Sequence, residues 1–135
     1  MIPPFNNLGY LPPGIYEVTW DEFWERFATN TYRKQMLTGL RLALSALKFA
    51  GCQQVYIGGS FVTDKEKPND YDGCFEVFGI DENKIDPIFL IPNLQAQKDK
   101  FYGELLPNSV MVGFFQNDIN RQPKGIISLN PSTVP

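Results

Sequence analysis

Asp70 and Asp72 flank Tyr71 at the head of one apolar run, and Gly58-Gly59-Ser60 closes another, with nine residues between Ser60 and Asp70. Side chains at i and i+2 of a strand share a face, so the two carboxylates aim together. Held side by side, they repel each other unless water, a proton or a cation intervenes. A divalent cation, Mg²⁺ or Mn²⁺ in its place, answers that repulsion. Across from it, Gly58 and Gly59 leave room for a phosphate to approach the backbone, and their amides and the Ser60 hydroxyl can donate to its oxygens. A cation that bridges phosphate oxygens and neutralises charge on a leaving group serves phosphoryl or nucleotidyl transfer. Each piece alone also has an ordinary reading: Gly-Gly-Ser and Asn69-Asp70 as turns, and two acids as a solvated strand end. Their combination points to the metal site.

The elements around the pair follow from local pattern. Pro3-Pro4 and Pro12-Pro13-Gly14 predict an extended arm over residues 1–18, with a turn at Pro13-Gly14 and a short edge strand from Gly14 to Val18. Thr19 and Glu22 form a capping-box pair that starts a helix, in which Trp20, Phe23, Trp24 and Phe27 make a core stripe. A second helix begins at Asn30 or Thr31 and ends near Ala50 before Gly51. It has Met36, Leu37, Leu40, Leu44 and Leu47 on one face and Arg33, Lys34, Arg41 and Lys48 largely elsewhere. This helix delivers the chain to the strand Val55-Tyr56-Ile57. The strand opened by Asp70 continues toward Phe78. Residues 81–90 read as a loop with a helical turn capped by Asp86 before Pro87. A polar, mostly surface helix spans about Pro92 to Phe101, a brief strand Gly103 to Pro107, and a final strand Lys124 to Leu129. Val110 to Gln116 reads equally as helix or strand, and the tail Asn130 to Pro135 as frayed. The sum is a single α/β (α+β) domain of residues 1–135, with a mixed sheet of three to five strands flanked by helices.

Composition narrows the chemistry. The chain has 135 residues, a net charge of -3 and a pI near 4.9, which opposes binding to an extended nucleic acid but permits a small metal-bridged anion. No histidine is present, which removes His-dependent triads, His-containing zinc sets and a His general base. Cys52 and Cys74 are too few and too far apart for a disulfide scaffold, and they read as buried thiols in a reducing compartment. No leader pattern and no apolar run of roughly 18 residues is found, so a cytoplasmic protein without membrane spans is expected. The P-loop, EF-hand and Rossmann patterns all fail on spacing around Gly58 to Asp72.

Gly59-Ser60, nine residues, then Asp70-Tyr71-Asp72 resembles the signature of the DNA polymerase beta-like nucleotidyltransferase superfamily, in which Gly-Ser precedes an acid-hydrophobic-acid triplet. More narrowly, Leu11-Pro12-Pro13-Gly14, Gly59-Ser60-Phe61-Val62-Thr63, Lys65 with Pro68-Asn69-Asp70, Phe114-Phe115-Gln116 and Lys124-Gly125-Ile126-Ile127 are similar to a small bacterial family of nucleotidyltransferase-like domains of uncharacterised function. The resemblance implies the minimal nucleotidyltransferase fold, an NTP substrate and a third carboxylate on a later strand that holds metal and accepts the proton of an attacking hydroxyl. Glu104 is the candidate, with Asp81 and Asp118 in reserve; an Asp is more usual there, and Tyr71 is a large occupant of the triplet's middle position. The basic residues of the spacer are Lys65, a candidate triphosphate ligand, and Lys67. The acidic surface favours a protein side chain or small molecule as the acceptor, and the short domain leaves the acceptor's surface to a partner subunit or homo-oligomer. The alternative is the fold without the reaction, a nucleotide-binding or partner-docking module of the kind found in toxin-antitoxin or phage-defence pairs.

Overall fold

Thr19 caps the first helix as its spacing from Glu22 predicts. Its hydroxyl accepts from the Glu22 amide at 3.3 Å, and the Glu22 carboxylate accepts from the Thr19 amide at 3.1 Å. The helix, α1 (Trp20–Phe27), follows the edge strand β1 (Ile15–Val18) and precedes α2 (Thr31–Phe49), which is capped by Asn30 and closed by Ala50 and by Gly51 at a φ of 93°. The computed structural model describes residues 1–91, 94–107 and 112–135. The remaining elements are β2 (Val55–Gly58), β3 (Tyr71–Phe75), α3 (Leu94–Phe101), β4 (Gly103–Leu106), α4 (Val112–Phe115) and β5 (Ile126–Leu129). Short 3-10 turns occupy Gly59–Val62, Pro87–Phe89 and Pro131–Thr133. The fold is mixed α and β: a five-stranded sheet in the order β1-β5-β2-β3-β4. β1 pairs parallel with β5 and β3 with β4, while β2 runs antiparallel to both β5 and β3. Among the described residues no helix is long and apolar enough to cross a membrane.

Strand alternation sorts the sheet into two faces. Val55 and Ile57 of β2, Tyr71 and Phe75 of β3, Leu105 of β4, and Ile127 and Leu129 of β5 enter one core with Phe23, Phe27, Leu37, Leu40, Leu44, Leu47 and Phe101 from α1, α2 and α3. The intervening Cys74 and Ile126, with Tyr56 and Leu106, meet Phe115 and Val112 of α4 in a smaller cluster on the other face. By the same alternation Asp72 and Glu104 belong to this second, thinly covered face. Each fully buried Leu of α2 contributes roughly 1.5–3 kcal/mol, so the helix is fixed to the sheet behind the Gly58-Gly59 turn.

Several expectations need correction. The tail is ordered against the body: Pro131 and Val134 are buried, the Thr133 hydroxyl accepts from the Trp20 amide at 3.1 Å, and Lys48 donates to the Val134 carbonyl at 2.9 Å. Arg33, set largely off the leucine face by its spacing, is nevertheless buried, because backbone carbonyls of residues 61–65 take the place of water around its guanidinium. It is 2% exposed and donates to the carbonyls of Phe27, Phe61, Thr63 and Lys65. β3 ends at Phe75, before the expected Phe78. Helix α3 is mostly at the surface, as its polar sequence predicts, and buries Gln97 and Phe101. The segment left open between helix and strand is helical over Val112–Phe115; its expected start at Val110, like Pro92 of α3, lies outside the described residues. Cys52 and Cys74 are buried and free, and burial raises both thiols to about 11.

Candidate metal centre and groove

Pairing register assembles the three acids. In the sheet Gly58 of β2 stands opposite Asp72 of β3, and Asp72 stands opposite Glu104 of β4. Asp70, just before β3, shares the parity of Asp72. One carboxylate oxygen from each of Asp70, Asp72 and Glu104 lies within 4.8 Å of the others, all three side chains being partly buried. The reserve candidates are elsewhere: the Asp81 amide donates to the Ala50 carbonyl beyond the end of α2, and Asp118 accepts from the Tyr10 hydroxyl at 2.7 Å.

Burial, reinforced by the charges of Asp70 and Glu104, pushes the Asp72 carboxyl up to about 6, an effect that Lys98 and Lys124 partly offset. The fold therefore gathers negative charge with only partial compensation. Two parallel strands require a crossover, and α3 is that crossover between β3 and β4. Its Lys98 ammonium lies 2.9 Å from Glu104 Oε1 and 3.2 Å from Asp70 Oδ2, and these two hydrogen bonds raise its pKa. Gln97 sets the register of the helix: its side chain donates to the Leu105 carbonyl at 3.2 Å and accepts from the Leu105 amide at 2.9 Å. Sequence reasoning missed Lys98. The signal available to it was the order of strand, helix and strand, which places that helix over the strand carrying Glu104.

The glycine turn has two distinct halves. Gly59 adopts a φ of 73° and lies against Asp72; a Cβ there would stand 3.0 Å from Asp72 Oδ2. Gly58 is glycine for a packing reason, because a Cβ there would meet the Phe115 side chain at 2.5 Å. The space beside Gly58 belongs to α4, and the open approach is at Gly59. Ser60 is partly exposed, and its carbonyl accepts from the Thr63 hydroxyl at 2.6 Å. The Lys65 side chain is exposed, and its backbone ties the residue to the fold: the carbonyl takes two bonds from Arg33, and the amide donates to the Thr63 hydroxyl at 3.2 Å.

A groove of about 670 Å³ opens from Gly59 and Asp72 past Phe114 and Phe115 to Asp118, Arg121 and Lys124. Phe114 and Ile119 are exposed. Lys124 is half-buried, and desolvation lowers its pKa while Asp118 and Asp72 oppose that. The groove thus joins a carboxylate end to an aromatic and cationic wall. The triad, Gly59 and Ser60 are brought to one end of the sheet, while Lys98 and Lys124 are the cations that accompany them.

No curated protein and no solved structure matches the chain. A family profile does match residues 3–130, that of a Family of unknown function (DUF6932), and the chain belongs to that family.

Proposed function

We propose that the chain is a minimal nucleotidyltransferase of the polymerase beta-like kind, moving a nucleoside monophosphate from an NTP to a hydroxyl of a protein or small molecule. The observation that carries this reading is the convergence of Asp70, Asp72 and Glu104 within 4.8 Å, next to a glycine turn and a groove. The donor set suits Mg²⁺ or Mn²⁺: three hard carboxylate oxygens, partly open, whose charge is under-compensated at Asp72. When bound, such a cation neutralises charge that develops on the phosphate oxygens. Asp70 and Asp72 hold it, and Glu104 completes the set and takes the proton of the attacking hydroxyl. The acceptor oxygen bonds to the α-phosphorus as the bond to the β-phosphate oxygen breaks, and pyrophosphate leaves. Gly59 lets the triphosphate approach the backbone, the Ser60 hydroxyl donates to it, and Lys124 and Arg121 supply positive charge along the groove. The net charge of -3 favours a small acceptor over a polynucleotide.

A second reading rests on Lys98, which ties up two of the three acids: a nucleotide-binding or partner-docking module without turnover. One assay separates the two. The protein is incubated with α-labelled NTPs, Mg²⁺ and candidate hydroxyl acceptors, beside the Asp70→Asn/Asp72→Asn double variant. Label transfer by the wild type that disappears in the folded double variant is the expected result, and equal labelling by both refutes the assignment. Mg²⁺-dependent stabilisation by an NTP, with no transfer to any acceptor, supports the binding module instead.

A further inference from the structure

We propose that Lys98 is a built-in counter-cation of the carboxylate centre, which must withdraw its ammonium from Asp70 and Glu104 before a divalent cation can bind. This inference rests on the metal reading of the site. The ammonium bridges Asp70 Oδ2 at 3.2 Å and Glu104 Oε1 at 2.9 Å, so one positive charge already stands between two of the three carboxylates that a cation would use. An ammonium and a divalent cation sharing these two acids repel each other. They also compete for the same lone pairs.

The backbone beneath Lys98 is fixed and the side chain is not. Gln97, 1% exposed, grips both the amide and the carbonyl of Leu105, and Phe101 buries the end of the same helix. The helix cannot carry Lys98 away without breaking that pair. The Lys98 side chain itself is 38% exposed and has rotamer freedom. It also lines a second pocket of about 250 Å³ with Tyr32, Gln35, Asn69 and Tyr102, on which Asp70 borders as well. With Met36 also in its lining, this pocket is of mixed polarity, and it gives the ammonium a space to withdraw into. In the free protein it offsets repulsion among the acids, and in the metal-bound protein its charge is redundant. A lysine whose task was to hold the metal site together would behave in the opposite way, because its loss would weaken metal binding.

The test uses the full chain and Mn²⁺ as the probe. Binding is measured by calorimetry and by the loss of the free-ion paramagnetic resonance signal, for the wild type, Lys98→Met, Lys98→Gln and Lys98→Arg, with thermal melts in the absence of metal to show that each folds. The expected result is a Kd about tenfold or more lower for Lys98→Met and Lys98→Gln, equivalent to about 1.4 kcal/mol. Their Mn²⁺-induced rise in Tm grows accordingly, and Lys98→Arg, which keeps the charge, stays within about threefold of the wild type. Unchanged or weaker Mn²⁺ binding by the Met and Gln variants overturns the proposal and leaves the metal reading standing if the wild type binds. Binding by the neutral variants alone supports the proposal in its strongest form. Binding by none of the four proteins overturns both it and the metal reading.

Discussion

Replacing Asp72 by Asn should make the metal-free protein more stable, even though it removes a proposed metal ligand. A carboxyl that titrates at about 6 in the fold rather than at the ordinary 3.8 disfavours the folded state once it is ionised in both states. At about 1.4 kcal/mol per pH unit the cost is roughly 3 kcal/mol. Asp72 is partly open to the groove, so solvent screening reduces the working figure to about 1–2 kcal/mol. The sign follows from linkage: a folded-state pKa above the unfolded one gives stability that is present below pH 3.8 and is lost as pH rises through about 6. Asn carries no charge and has nearly the same shape. Chemical denaturation at pH 3.5, 5 and 7.5 should therefore show (in round numbers, about 0, 1 and 2 kcal/mol) an advantage for Asp72→Asn that grows and then levels off. At pH 7.5 the corresponding rise in Tm is roughly 3–8 °C. Adding Mg²⁺ at about a hundred times its Kd stabilises the wild type by about 2.7 kcal/mol and the variant much less, so the order of stability reverses. An Asn variant less stable than the wild type at pH 7.5 without metal, or a difference that does not change with pH, refutes the reasoning.

Two further outcomes test the supports of the site. Arg33→Met leaves the carbonyls of Phe61, Thr63 and Lys65 without their donor; a loss of about 3–5 kcal/mol in urea denaturation and faster amide exchange around residues 61–65 are expected, and Arg33→Lys should restore little because one ammonium cannot reach all three. Deleting residues 131–135 exposes the surface that Val134 covers and orphans the Trp20 amide; a loss of about 2–4 kcal/mol is expected, and an unchanged Tm would show that the tail does not contribute.

What could be read in the sequence is what local pattern encodes. The Thr19 cap, the apolar face of α2, and the same-face placement of Asp70 and Asp72 each depend on residues within one turn or one strand. Glu104 was reached by resemblance and by a short strand pattern, and pairing with β3 places it opposite Asp72. Lys98 and Arg33 were illegible for a shared reason. A charged residue on a helix reads as facing water, and only partners far along the chain reverse that: Asp70 and Glu104 for one, the carbonyls of residues 61–65 for the other. The tail failed in the same way, since Pro, Ser and Thr carry no periodicity and the burial of Val134 is decided by α1 and α2 across the whole chain.

Tyr71, the large residue between the two acids, shows how one strand positions chemistry. Its side chain takes the opposite face from Asp70 and Asp72, enters the main core, and donates to the Phe101 carbonyl at 2.7 Å; burial raises its pKa. Its ring lies over Gly103, where a Cβ would stand 2.6 Å from the ring carbons. Only a residue without a side chain fits there, so β4 pairs with Gly103 opposite Tyr71 and hence Glu104 opposite Asp72. A slip of one residue would turn Glu104 to the core face and Leu105 to the groove. The large tyrosine between the two acids is thus what fixes the third carboxylate in register with the other two.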